Sequence, residues 1–183
     1  MKLFETKRLL VRQLSQQDTP ELTEILSDPE VMKYSIGGVC DECATRKFVD
    51  WCIECYSSKG VGPWALIEKE ACSLVGFCGV SPELVGGVEE MNLGYRLATK
   101  FWNRGLATEA VRSVLKYCFD WRSLQSVVAI IEPGHTASFH VVEKAGLKQY
   151  TNLDFHGRQV RLYRITSQAW YAINGSVIDY GKD

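Results

Sequence analysis

The segment FWNRGLATEA, residues 101–110, combines residue types that could bind an anion. Gly105 separates bulky and polar residues from small residues that favour a helix. The first N–H groups of a helix have no acceptor within it, and the helix dipole favours negative charge at that end. A glycine also lets a phosphate approach the backbone, because it has no Cβ. The segment therefore predicts a phosphate site at the start of a helix.

Two common nucleotide-binding loops do not match this segment. A Walker loop ends in Gly-Lys-Ser/Thr, and Leu106 stands where the lysine would be. A dinucleotide fingerprint needs three spaced glycines after an early strand, and an acidic residue about 20 positions later. The segment has one glycine and lies late in the chain. Coenzyme A is the third phosphate ligand to consider.

The elements that must position this loop predict an α+β fold, with one sheet and helices on both of its faces. Apolar residues recur at helical spacing over 107–120, the most regular helical stripe in the chain. Asp18 is the predicted N-cap of the first helix, because Pro20 and Glu21 follow it in a box-like pattern. Further helices are predicted at 28–35, 43–58 and 135–147, and strands at 8–14, 62–69, 73–82, 89–98 and 125–133, with a hairpin in 148–166 that turns at His156-Gly157.

The cysteines predict neither a redox site nor a metal site. The motif WCIEC resembles a redox pair, which should follow a strand and open a helix. Here Cys52 and Cys55 fall in the middle of the predicted helix 43–58. No second Cys or His pair stands at ligand spacing, so we expect no metal. The seven cysteines, an odd number, are interpreted as structural thiols.

Composition limits the class of protein. A chain of 183 residues with 46% apolar and 23% charged residues is ordinary for a single globular domain. A net charge of −1 argues against a general nucleic-acid binder, which would carry a marked cationic excess. No apolar run approaches the roughly 20 residues of a membrane span, and the N-terminus is too charged for a signal peptide. We therefore expect a cytoplasmic protein without a nucleic-acid or membrane partner.

Two longer segments, NLGYRLATKFWNRGLATEAVRSVLKYCFD and IIEPGHTASFHVVEKAGL, resemble consecutive parts of the GNAT superfamily of N-acetyltransferases. The second segment and the N-terminal ETKRLLVRQLSQQD are similar to its RimJ/RimL-like branch. The resemblance covers about residues 3–166, within a single domain over 1–183 that ends in a C-terminal tail. It implies the GNAT fold, whose central mixed, mostly antiparallel sheet is splayed so that acetyl-CoA, the cosubstrate, lies between two strands.

The resemblance also implies which residues hold acetyl-CoA. The strand residues Tyr95, Arg96 and Leu97 would offer backbone groups to the pantetheine arm. Trp102 stands where the general motif has Gln or Arg, and we expect it to pack rather than to bind. The N–H groups that would surround the pyrophosphate are those of Asn103, Arg104, Gly105, Leu106, Ala107 and Thr108, and the guanidinium of Arg104 could add charge.

The implied catalytic residues match the family pattern only in part. Ser138 matches the serine that donates a proton to the leaving thiolate. His135 replaces the Asn of the N-x-x-S motif, and is either a cofactor-side group or a half-exposed residue at a helix start. Val142 occupies the position where many members carry a proton-donating Tyr.

The general base is left open by the sequence. Asn92 and Ile130 stand where related enzymes place a base, while Glu90 and Glu132 lie two residues away on the same strand faces. Either glutamate could activate the amine through a water, or be a solvated carboxylate at a strand end. A base is not strictly required, because an amine with a lowered pKa arrives neutral.

The resemblance implies an N-acetyltransferase that transfers acetyl to a protein N-terminus, an amino acid or a small-molecule amine by direct attack in a ternary complex. The alternatives are a CoA-binding module of the same fold without turnover, and a nucleotide-binding protein of another fold. The acceptor pocket would be lined by 34–40 and 154–161, with Trp51 and Trp64 as possible walls. Both a monomer and a homodimer fit this sequence.

Overall fold

The computed structural model describes residues 1–175, which form one eight-stranded mixed sheet with helices on both faces. The strand order is β1-β2-β3-β4-β5-β6-β8-β7, and every neighbouring pair is antiparallel except β5 with β6. This sheet confirms the predicted GNAT type of fold. The strands are β1 Lys2–Glu5, β2 Leu9–Gln13, β3 Pro63–Glu68, β4 Ser73–Val85, β5 Val88–Leu97, β6 Ser126–Ile131, β7 Tyr150–Phe155 and β8 Arg158–Thr166.

The described chain also contains six α-helices and two short 3-10 turns, and the last of the helices follows β8. Alternating residues of β3 show that the helices divide between the two faces: Trp64 packs with the cluster around α4, and Ala65 packs with the cluster around α1 and α3. The helices are α1 Thr19–Leu26, α2 Pro29–Met32, α3 Glu42–Ser58, α4 Leu106–Asp120, α5 Thr136–Lys144 and α6 Ser167–Asn174, and the 3-10 turns cover Gln16–Asp18 and Thr99–Phe101.

The sheet is splayed between β5 and β6. Their only register pair in residues 1–175 is Asn92 with Val128. By contrast, β6 pairs with β8 along its whole length, from Ser126 to Ile131. The opening between β5 and β6 leaves strand backbone exposed in the centre of the sheet, where a ligand can reach it.

Helix α4 is the main support of one face. Its buried residues Ala110, Val111, Val114, Leu115 and Cys118 follow the predicted apolar stripe and lie in the largest core cluster. Because one face of the helix is apolar throughout, its rotation about its own axis is fixed.

Asp18 is the N-cap of α1, as predicted, but its side chain does not cap the helix. The carboxylate of Asp18 accepts hydrogen bonds from Arg12 at 2.6 and 2.9 Å and from the Ser15 N–H at 2.8 Å, and it makes no capping bond to α1. Burial alone would raise the pKa of Asp18, but these hydrogen bonds outweigh it and lower that pKa. An arginine of the preceding strand therefore takes the carboxylate that the sequence pattern assigned to the first turn of α1.

The WCIEC segment lies inside α3, as predicted, and its two cysteines are free, buried thiols. Burial raises the pKa of both Cys52 and Cys55, so neither thiol has the low pKa that a redox nucleophile needs. In residues 1–175, no helix is both long enough and apolar enough to cross a bilayer.

Candidate active site

The loop before α4 adopts a conformation that exposes backbone N–H groups. Gly105 is the N-cap of α4 with a left-handed φ of 74°, and Asn103 is also left-handed, at 58°. The first intrahelical bond of this turn is donated by the Glu109 N–H to the Gly105 carbonyl, at 3.1 Å. The N–H groups of Leu106, Ala107 and Thr108 therefore have no acceptor in the helix and can bind an anion.

Glu109 fixes this loop to the N-terminal strands. Its carboxylate accepts hydrogen bonds from the Thr6 hydroxyl at 2.6 Å, the Arg8 N–H at 2.9 Å and the Arg8 side chain at 2.7 Å. The same guanidinium donates to the Arg104 carbonyl at 2.7 Å. Burial raises the pKa of Glu109, but the bonds from Thr6 and Arg8 outweigh it and lower that pKa. The loop geometry is therefore held independently of a ligand.

A cleft of about 830 Å³ begins at this loop and runs along β5 to the start of α5. The residues predicted to hold acetyl-CoA meet in it, with one exception. Arg104 does not line the cleft, and its guanidinium binds the buried carboxylate of Glu68 at 2.7 Å; the charge that it would add to a phosphate site stays a prediction. The predicted residues that line it are Tyr95, Arg96, Leu97, Asn103, Gly105, Leu106, Ala107, Thr108, His135 and Ser138.

Sequence reasoning missed two cations of the cleft. Lys33 follows α2 and Lys144 ends α5, and both line the cleft. Trp102 also lines it, and its indole N–H donates to the Leu97 carbonyl at 2.7 Å. The sequence carried no signal for the two lysines, because they come from helices far apart in the chain and only the tertiary fold brings them together.

Tyr95 and Ser138 form a hydrogen-bonded pair near the end of the cleft. The Tyr95 hydroxyl lies 2.7 Å from the Ser138 Oγ and 2.8 Å from the Ser138 carbonyl. Burial raises the pKa of Tyr95, so the phenol keeps its proton at neutral pH. Because Ser138 is itself buried, its hydroxyl is held in a fixed position next to the opening of the sheet.

His135 is a neutral group at this site. Its ring stacks on Tyr34 with centroids 4.2 Å apart, and the Tyr34 hydroxyl donates to the Gly134 carbonyl at 2.9 Å. Burial and the positive charge of Arg96 lower the pKa of His135 to about 4, although Glu132 acts in the opposite direction. At neutral pH the imidazole is therefore uncharged and can accept a hydrogen bond.

A smaller pocket of about 250 Å³ opens from the cleft. One wall is the segment Tyr34–Gly37 and the other is the β7–β8 hairpin with Phe155, Arg158 and Val160. The cleft and the pocket share five lining residues, Tyr34, Tyr95, Arg96, His135 and Ser138. This arrangement provides two sites that meet at the Tyr95–Ser138 pair.

The two tryptophans expected in the pocket are not part of it. Trp51 is 40% exposed on α3, and Trp64 is 1% exposed in the core beneath α4. Neither lines the pocket. Both were placed there by residue type alone, which does not distinguish a pocket wall from the core.

Comparisons with known proteins identify this arrangement. The sequence model of the GNAT acetyltransferase domain matches residues 8–148. The chain belongs to the GNAT acetyltransferase family. It is 31% identical over 159 residues to the uncharacterized protein YkkB of Bacillus subtilis, covering 86% of this chain and 92% of YkkB. It is 28% identical over 151 residues to the uncharacterized N-acetyltransferase p20 of Bacillus licheniformis, covering 81% and 84% of the two chains.

The fold of this GNAT protein is similar to that of solved acetyltransferases. The crystal structure of a GNAT-family acetyltransferase from Bacillus anthracis matches it with a TM-score of 0.76 and 28% identity, over 92% of this chain and 99% of that chain. Together with the family match, this likeness makes the protein an acyltransferase. In residues 1–175, no group of three or more His, Cys, Asp or Glu side chains could hold a metal ion.

The candidate bases of this GNAT protein differ in position. Glu90 binds Arg164 with two hydrogen bonds, at 2.6 and 3.0 Å, which lower its pKa, and it lines neither cavity. Glu132 lines the pocket and pairs with Arg158. Asn92 also lines the pocket, and its Oδ1 is buried without a hydrogen-bond partner in the described chain. Of the two glutamates, only Glu132 lines one of the two cavities.

Proposed function

We propose that this GNAT protein is an N-acetyltransferase of the RimJ/RimL-like branch, which transfers acetyl from acetyl-CoA to a primary amine in a ternary complex. One observation carries the proposal: the cleft that starts at the free N–H groups of α4 joins the pocket at Tyr95 and Ser138. A donor and an acceptor can therefore be bound at the same time, with their reactive groups meeting at a hydroxyl pair.

The residues of the cleft fit acetyl-CoA. The N–H groups of Leu106, Ala107 and Thr108 would bind the pyrophosphate, and Lys33 and Lys144 add positive charge to a cleft that must hold phosphates. The splayed strand β5 would offer the backbone of Tyr95–Leu97 to the pantetheine arm. When bound, acetyl-CoA supplies the activated thioester that is attacked.

Ser138 is the group that would complete the acyl transfer. The amine nitrogen forms a bond to the acetyl carbon, the carbon–sulfur bond breaks, and the thiolate needs a proton. The Ser138 hydroxyl would supply it, because Tyr95 can donate its own proton to the Ser138 carbonyl and leave the Oγ–H free. The attacking amine loses one proton, which Glu132 or solvent would accept. A proton from solvent would then return to the Ser138 Oγ and restore its hydroxyl.

The proposal is tested by following acetyl-CoA consumption against a panel of primary amines, with thermal stability measured in CoA, ATP or NAD. We expect stabilisation by CoA alone and release of free thiol with at least one amine. Stabilisation by CoA without turnover for any amine would instead indicate a binding module of the same fold. Stabilisation by ATP or NAD but not by CoA would contradict both.

A further inference from the structure

The guanidinium of Arg96 has no anionic partner. In residues 1–175 no carboxylate lies within 4.0 Å of it, and its single hydrogen bond is donated to the Tyr95 carbonyl at 2.9 Å. A guanidinium has five N–H donors, so this partly buried side chain has further donors for a ligand. Burial lowers the pKa of Arg96.

The side chain of Arg96 lies on the acceptor side of the sheet. In the β4–β5 register Arg96 faces Phe77, which packs with the helices α1 and α3. Alternate residues of a strand share a face, so Arg96 and Asn92 lie on one side, and Tyr95 on the other. Arg96 also lines both cavities, which places it where they join. An anion bound by Arg96 would therefore be close to the reacting amine.

Among the described residues 1–175, the other charges of the acceptor pocket leave Arg96 as its cation without an anionic partner. Arg158 and Glu132 pair with each other, and the remaining charged residue is Glu83. Glu83 faces Glu90 across the strands, so its backbone lies roughly 20 Å along β5 from Arg96, at about 3.4 Å per residue. The amine's immediate surroundings are therefore cationic, which disfavours acceptors with a second ammonium group close to the first.

We propose that Arg96 binds a carboxylate carried by the acceptor, so that the preferred substrates are amines bearing a carboxylate, such as amino acids. This inference rests on the proposed function and narrows its substrate class. A carboxylate matches the guanidinium fork with two parallel hydrogen bonds, which would fix the position of the nearby amine. Arg96 acts here as a specificity-determining residue and takes no part in bond making.

The experiment compares acceptors that differ only in charge. Initial rates are measured for amino acids and their amides, glycine with glycinamide and L-leucine with L-leucinamide, and for β-alanine and 4-aminobutyrate, which move the carboxylate away from the amine. The variants are Arg96→Gln and Arg96→Lys, with Arg164→Gln as a control that removes a guanidinium outside both cavities. Binding of the same acceptors to the CoA-saturated protein is measured by calorimetry, which needs no turnover.

We expect the wild type to prefer carboxylates over amides by at least about 10-fold in kcat/KM. Arg96→Gln should lower kcat/KM for carboxylates by about 10- to 100-fold and for amides by less than about 3-fold, with Arg96→Lys in between. The KM for acetyl-CoA should stay within about 2-fold. The amine of an amino-acid amide is less basic than the amine of the amino acid, so a larger fraction of it is neutral at a given pH. This difference favours the amides, which is opposite to the preference that we expect.

Other outcomes overturn this inference. Equal losses of kcat/KM for carboxylates and amides would mean that Arg96 interacts with the thioester carbonyl instead. A large rise in the KM for acetyl-CoA would mean that Arg96 binds the cofactor. Acetylation of amides or polyamines without a carboxylate preference in the wild type leaves the proposed function standing and removes only this inference. The inference is also removed if no acceptor turns over and calorimetry detects no carboxylate binding to the CoA complex. Absence of CoA binding contradicts the proposed function itself.

Discussion

Tyr95 and Ser138 are brought together from different elements. Position 142, where many relatives have a tyrosine, is a buried valine. The structure instead brings a phenol from β5 to the Ser138 hydroxyl. Because the Tyr95 hydroxyl can donate to the Ser138 carbonyl, it both fixes the serine and leaves the serine proton free.

Ser138→Ala should lower kcat by about 100-fold, because a general acid contributes about 10²- to 10⁴-fold. Tyr95→Phe should lower kcat by about 10-fold, since the serine remains but loses its fixed position. The KM for acetyl-CoA should change little in either variant. Tyr150→Phe, a change at an exposed tyrosine on the hairpin, is the control. Wild-type kcat in Ser138→Ala would remove the serine from the mechanism.

The two candidate bases give a matched pair of variants. Glu132→Gln removes a carboxylate that lines the acceptor pocket, while Glu90→Gln removes one held by Arg164 outside it. If Glu132 accepts the amine proton, its variant loses the acidic limb of the pH–rate profile, and the Glu90 variant keeps the wild-type profile. An unchanged profile in both would mean that the amine arrives neutral and solvent takes the proton.

His135 should make stability depend on pH. Its pKa is about 4 in the folded protein and about 6.5 when unfolded, so below pH 6.5 the unfolded chain binds a proton that the folded protein does not. The contribution of His135 to the free energy of unfolding is fully present above pH 6.5. It is lost as the pH drops toward 4, and the total loss is about 1–3 kcal/mol. Chemical denaturation of the wild type between pH 7 and pH 4 measures this loss.

The variant His135→Asn introduces the asparagine of the N-x-x-S motif. This variant should flatten the dependence of stability on pH. His156→Asn, at the exposed turn of the hairpin, is the matched histidine control and should retain the wild-type slope. If both variants follow the wild-type curve, another group controls the acid loss of stability.

At the scale of elements, the loop before α4 depends on a left-handed glycine and on a contact from the N-terminal strands. A Cβ on Gly105 would meet one atom within 4 Å, an Arg8 guanidinium nitrogen at 3.5 Å. The free loop therefore has room for alanine, and the cost of Gly105→Ala to stability is backbone strain of about 1 kcal/mol. The larger effect should fall on the ligand, because the Cβ occupies the approach to the helix N-terminus.

Gly105→Val should abolish CoA binding, Gly105→Ala should weaken it by at least about 10-fold, and Trp102→Gln should leave it largely intact. Gly157→Ala is the control for strain, because Gly157 has a nearly equal φ of 76° and a Cβ there would meet no atom within 4 Å. Calorimetric titration with CoA, alongside thermal melting, separates affinity from stability. Normal CoA affinity in Gly105→Val, or its loss in Trp102→Gln alone, would overturn the assignment of the loop.

Elements with a complete local signal were predictable from the sequence. The stripe of α4 was regular over the whole helix, and the β7–β8 hairpin turned at the predicted His156-Gly157. Local patterns did not show which partner a charged side chain takes. Asp18 is the N-cap of α1, yet its carboxylate binds Arg12, and the guanidinium of Arg104 binds Glu68 of a strand distant in the chain. The second pairing depends on how the strands assemble, which a short sequence window does not contain.

The whole molecule consists of two half-sheets that meet at one register pair. Strands β1–β5 form one half and β6–β8 the other, and Asn92 with Val128 joins them. Helices α4 and α5 contact each other above this opening. The resemblance implied a splayed sheet, but the unpaired Arg96 and the position of Glu132 became visible only in three dimensions, because they depend on which face and which cavity each side chain reaches.

Because the cleft is lined by β5 on one side and by α5, which follows β6, on the other, CoA should stabilise the molecule by joining these two parts. At 100 times its Kd, a ligand that binds only the folded state adds about 2.7 kcal/mol, which raises Tm by several degrees for a chain of this size. Hydrogen exchange should show where this occurs: slower exchange at 93–97 in β5, at the first turn of α4 and at the start of α5, with little change in α3. Protection confined to the first turn of α4 would mean that the ligand contacts the loop alone, and that the opening between β5 and β6 is not the pantetheine site.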